Sequence, residues 1–134
     1  MEMKKVCIFA VAGMIDEKGF FIVRLEFSKD IMLVETPQKG SIIRFDFKAS
    51  KTQAEKNFGY KKESISFRIK EIVFIENREY PTVEVFSPEH AETYKDLVEK
   101  NNLDFVIDKK SIRFFKENGW NILPTGVPLG SFDF

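Results

Sequence analysis

Residue types that do chemistry are scarce in this chain, which has a single histidine, His90, and a single cysteine, Cys7, in 134 residues. To act as a general base, His90 needs a nucleophile and an orienting acid beside it. The nearest hydroxyl in sequence is that of Ser87, but Ser87 precedes Pro88 and reads as the cap of a helix, so its hydroxyl is already used. His90 then falls in the first turn of that helix and reads as a solvated residue. Cys7 lies between Val6 and Ile8 in an apolar run, the setting of a buried structural thiol rather than a reactive one. A lone cysteine forms no internal disulfide, and one cysteine with one histidine cannot assemble a zinc site of the usual ligands. Gly126-Val127-Pro128-Leu129-Gly130 has two glycines but no following helix to direct at a phosphate. The 21 acidic residues make some carboxylate pair unavoidable, so such a pair says nothing about hydrolysis. We expect a protein that is not an enzyme, with no catalytic residues, no metal and no cofactor.

Two charge features carry more information. On a helix over 88–101, at 100° per residue, Glu89, Glu92, Asp96 and Glu99 fall within about a quarter-turn of one another. Ala91, Tyr94 and Val98 lie opposite, and with Leu97 they form the inward face. Glu92 and Asp96 form a repulsive i,i+4 pair, relieved at the flanks by Lys95 and Lys100. The plain reading is a solvated face. The sharper one is a ridge that docks a partner with a basic surface, since complementary potentials steer association and set register. The second feature is the stretch 49–63, where Lys51, Lys56, Lys61 and Lys62 interleave with Phe58 and Tyr60. Cations among aromatics suit single-stranded nucleic acid. This stretch lacks arginine and the formal net charge is zero, so nucleic acid is the lesser expectation. The same loop could instead meet the acidic ridge of a second copy, a heterologous contact that makes a homo-oligomer.

The elements that must position these residues are written in hydrophobic alternation. Ile43, Phe45 and Phe47, then Ile65, Phe67 and Ile69, then Val83 and Val85 each alternate with polar residues, the period of a strand with one face on a core. That pattern belongs to an antiparallel sheet covered on one side. Lys4–Ala12 is apolar on both faces and is expected at the centre of the sheet. Phe20–Ser28 follows it through a hairpin loop, Ile31–Glu35 reads as a short third strand, and Leu103–Ile107 as a late one. Lys4 and Lys5 before Val6–Ala12 resemble the start of a secretory signal, but the apolar run is too short for one and for a bilayer span. A second helix is expected over about 109–118, ended by Gly119. Residues from Trp120 onward, with Pro124, Gly126, Pro128 and Gly130, read as an irregular apolar tail packed on the body or on a partner.

Together these give one α+β domain over 1–134, a curved, mostly antiparallel sheet of about six or seven strands with two helices, about 88–101 and 109–118. With 15 phenylalanines its core should be aromatic. The expected function is a small cytoplasmic protein-binding module of the inhibitor or immunity type. It would block a basic partner through Glu89, Glu92, Asp96 and Glu99, without a membrane. A nucleic-acid-binding barrel using the 49–63 loop is the alternative, and a barrel enclosing a small apolar ligand is the third.

Overall fold

The computed structural model describes residues 2–47 and 64–125. Its sheet is built around β1 (Lys4–Ile15), which runs antiparallel to β2 (Phe21–Leu33) along its whole length. The other edge of β1 is shared. β5 (Thr82–Phe86) pairs in parallel with Cys7–Phe9, and β6 (Phe105–Asp108) pairs in parallel with Ala12–Ile15. A strand with both edges taken and both faces covered has to be apolar on alternate and intervening positions alike, and Val6, Cys7, Ile8, Ala10, Ala12, Gly13 and Met14 are all buried. β3 (Ile42–Asp46) and β4 (Ser64–Val73) extend the sheet beyond β5, and β7 (Asn121–Pro124) adds to the outer edge of β2. The order is β3-β4-β5-β1-β2-β7, with β6 beside β1, in a mixed, mostly antiparallel, open sheet.

Three local expectations change. Ile31–Glu35 is not a separate strand, because Ser28, Lys29 and Asp30 stay in register with Phe9, Ile8 and Cys7 and β2 runs on to Leu33. Lys29 is tolerated inside it because its Nζ donates to the Asn118 carbonyl at 2.6 Å. Asn121–Pro124 is a strand rather than irregular chain. Ile122 is buried and Leu123 exposed, a period of two that Pro124 hides in the sequence but an edge strand accepts. The helix expected over 88–101 is two, α1 (Pro88–Thr93) and α2 (Lys95–Asn101), interrupted at Tyr94 with φ −115° and ψ 40°.

The sheet curls around an aromatic core. Phe27 stands edge-on to Phe105 and Phe115 at 5.0 and 5.1 Å between ring centres. Phe45 of β3 meets Trp120, just ahead of β7, at 5.1 Å, so the two ends of the strand order come together across the core. Edge-to-face contacts of this kind add to the burial each ring already contributes. α3 (Lys109–Glu117) supplies Ile112 and Phe115 to the same core. It stops at Gly119, whose φ of +86° lets the Trp120 N–H return to the Phe115 carbonyl at 3.0 Å. That turn delivers Trp120 to the core and sends β7 along β2.

Where β5 leaves β1 and β6 joins it, the gap is closed by Asp104. Its N–H donates to the Val11 carbonyl at 2.7 Å, and its carboxylate accepts the Val11 N–H at 2.7 Å. Its carbonyl accepts the Ser87 N–H at 2.9 Å. Lys70, the extra residue of a bulge in β4 between Ile69 and Glu71, reaches across to the other carboxylate oxygen at 3.2 Å. Both ends of the α1–α2 segment are thereby tied to the central strand.

Candidate functional site

Ser87 caps α1 as expected: it is 3% exposed, and its hydroxyl accepts the His90 N–H at 3.2 Å. Pro88 follows at the first helical position, where its missing N–H is not needed. The hydroxyl is therefore engaged in holding the helix start. His90 is not the solvated residue expected. It is half-buried, lies against Phe105 with ring centres 6.3 Å apart, and its Nδ1 accepts the Val106 N–H at 3.1 Å. An accepting Nδ1 leaves the proton of the neutral ring on Nε2. The imidazole thus seals the edge of β6 that faces away from β1.

Glu89, Glu92, Asp96 and Glu99 are all exposed, but the interruption at Tyr94 divides them. Glu89 and Glu92 lie three apart on α1, Asp96 and Glu99 three apart on α2, and the i,i+4 repulsion expected of Glu92 and Asp96 falls across the break. The single ridge of the sequence reading is thus two carboxylate pairs on consecutive short helices. Among the described residues no cation forms an ion pair with Glu92, Asp96 or Glu99. Ala91, Tyr94, Leu97 and Val98, the expected inward side, are half-buried, and neither helix has a fully buried residue. Lys51, Lys56, Phe58, Tyr60, Lys61 and Lys62 lie outside the described residues.

Cys7 is buried, as expected of a structural thiol. Its pKa is raised first by burial and then by the Asp30 carboxylate opposite it on β2, with the Arg78 guanidinium opposing the shift. Asp30 also accepts the Tyr80 hydroxyl at 2.9 Å, which is the main reason the Tyr80 phenol is raised too. Lys5 completes this group, its Nζ 4.8 Å from the Tyr80 ring centre. Such a thiol stays protonated and poorly nucleophilic near neutral pH. Among the described residues, no group of three or more His, Cys, Asp and Glu could hold a metal ion. The rings of Phe27, Phe67, Phe105, Phe115 and Trp120 pack on one another in the interior on which the ligand-enclosing alternative relies.

Sequence reasoning missed Asp104 and Lys70. The available signal was an acid set between Leu103 and Phe105 in an otherwise apolar run. It also missed exposed apolar side chains near the start of β1 and the end of β4, Met3, Met32, Val34, Phe74 and Ile75. Among the described residues, no helix is long and apolar enough to cross a membrane. Comparison with known families, with characterised proteins and with solved structures found no match.

Proposed function

We propose that this chain is a protein-binding module of the inhibitor or immunity type, working in the cytoplasm, whose α1–α2 face covers a basic surface on another protein. The observation that supports this reading is the set of exposed carboxylates at Glu92, Asp96 and Glu99, which no cation pairs among the described residues. Carboxylates left unneutralised keep their field for a cationic partner, speeding encounter and disfavouring wrong partners. The frame behind them is held in advance. Ser87 and Asp104 fix the two ends of the helical segment to each other and Asp104 fixes it to β1, so little ordering is left for the moment of binding.

The test compares capture from the source lysate by the native chain and by the Glu92→Lys, Asp96→Lys double variant, with mass-spectrometric identification. The native chain should retain a protein of basic surface whose activity falls when the chain is added. The double variant should release it while keeping the same melting temperature. Retention of the same proteins by both forms would remove this reading.

A further inference from the structure

Nine large apolar side chains stand exposed among the described residues, and five of them gather at one end of the sheet. Met32 faces Lys5 across β1 and β2, and Met3 and Val34 lie just past the last pair of that ladder, Lys4 and Leu33. Phe74 and Ile75 follow the end of β4, and Phe74 is the extreme case at 81% exposed. Met3 and Phe74 also line one open groove of about 580 Å³, together with Val6, Ile72, Pro37 and Pro81. A cluster of exposed apolar side chains beside a concave surface marks a place that something covers.

We propose that this end of the molecule is a twofold interface with a second copy of the same chain. Area is the first argument. At roughly 150–200 Å² for a whole large side chain, the five exposures amount to on the order of 400–500 Å² of apolar surface on each copy. A standard interface covers about 800 Å² per partner, about two-thirds of it apolar in homodimers, so the patch has the size that a second copy requires. Charge is the second argument. The charged residues lining the groove are two lysines, Lys4 and Lys5, and two glutamates, Glu2 and Glu79. Glu76 and Arg78, which follow Ile75, repeat the mixture. A nucleic acid or an anionic membrane asks for one sign, whereas a twofold contact sets each residue against its counterparts on the other copy and needs both signs. Lys4 donates to the neutral Thr36 hydroxyl, and Lys5 lies over the Tyr80 ring and 4.0 Å from Asp30. Among the described residues no cation pairs with Glu2 or Glu79, which leaves both carboxylates for the lysines of the second copy. With a formal net charge of zero, the two copies do not repel each other as wholes. This assignment does not depend on the function proposed for the α1–α2 face. Pro81 borders the groove at the start of β5 and Ser87 caps α1 at its other end, so the dimer keeps both acidic faces free.

Sedimentation equilibrium of the intact chain tests it. The native chain should sediment at twice 15.6 kDa and dissociate on dilution, its melting temperature falling as it does so. Phe74→Asp, at a largely exposed position, should raise the dissociation constant at least roughly hundredfold with far-ultraviolet ellipticity unchanged. Charge swapping gives a readout that misfolding does not imitate. The double variants Lys4→Glu, Lys5→Glu and Glu2→Lys, Glu79→Lys should each be monomeric alone, and an equimolar mixture of the two should recover the dimer. A native chain that stays monomeric at every concentration, whether free or held on lipid vesicles through Phe74, would overturn the assignment. A dimer that persists in Phe74→Asp, or double variants that do not pair when mixed, would overturn it as well.

Discussion

Asp104 shows how much one side chain can hold. Its carboxylate, 9% exposed, satisfies the Val11 N–H at the point where two parallel strands exchange places along β1. Removing an acceptor and leaving a buried donor unmatched costs more than the bond itself contributes. Asp104→Ala should therefore destabilise by about 2–3 kcal/mol, read as a lower urea midpoint. Lys70→Met, which removes the half-exposed partner of the same pair, should cost under about 1 kcal/mol. Equal losses would mean that the ion pair, not the Val11 bond, is what matters. The Cys7–Asp30–Tyr80 group makes a pH prediction. Both the thiol and the phenol are raised, so their contribution to stability is complete below their ordinary values of 9.0 and 10.0 and is lost as pH rises through the higher folded ones. Stability should decline on the alkaline side, and Asp30→Asn should lower the pH at which Cys7 begins to react with a disulfide reagent. An unchanged reaction profile would remove Asp30 from the account.

Elements meet as closely as their smallest residue permits, and β1 has Gly13 where Leu103 and Phe21 close in. A Cβ built there lies 2.4 Å from Leu103 Cδ1 and 3.2 Å from the Phe21 ring. Gly13→Ala should cost about 1–3 kcal/mol through overpacking. Leu103→Ala should recover part of that loss in the double variant, giving a coupling of more than about 0.5 kcal/mol in a double-mutant cycle. Strict additivity would mean that the two side chains do not meet. The same contrast explains what was legible at this scale. Ile43, Phe45 and Phe47, with their counterparts in β4 and β5, announce strands because period two needs only local chemistry. The centrality of β1 is legible for the same reason. The parallel pairings are not, because Ala12 meets Phe105 through a register that no local pattern encodes. The continuity of β2 through Ser28–Asp30 is accompanied by a long-range bond from Lys29 to the Asn118 carbonyl, and the helix break at Tyr94 interrupts a stretch whose periodicity reads as one helix. Of the candidate site, the exposure of Glu89, Glu92, Asp96 and Glu99 follows from their charge, whereas their division into two pairs follows from that break.

The molecule as a whole is one core reached from both ends of its sheet. Trp120 touches Phe45 from the far side of the strand order and Phe27 and Phe115 from the near side, so its indole monitors the union of the two halves. Urea unfolding followed by Trp120 fluorescence should coincide with the loss of far-ultraviolet ellipticity in one transition. A fluorescence change that comes first would show the β3–β4 side opening independently. The shared edge of β1 also has a bearing on biosynthesis. A ribosome makes this strand before β5 and β6, and Asp104, the residue that closes onto Val11, lies 93 positions downstream. While the intervening residues are made, β1 has its hairpin mate β2 but neither parallel partner, an arrangement that makes folding slow and leaves a window for misassociation. Residue order thus makes the nascent polypeptide a natural client for whatever shields half-made sheets.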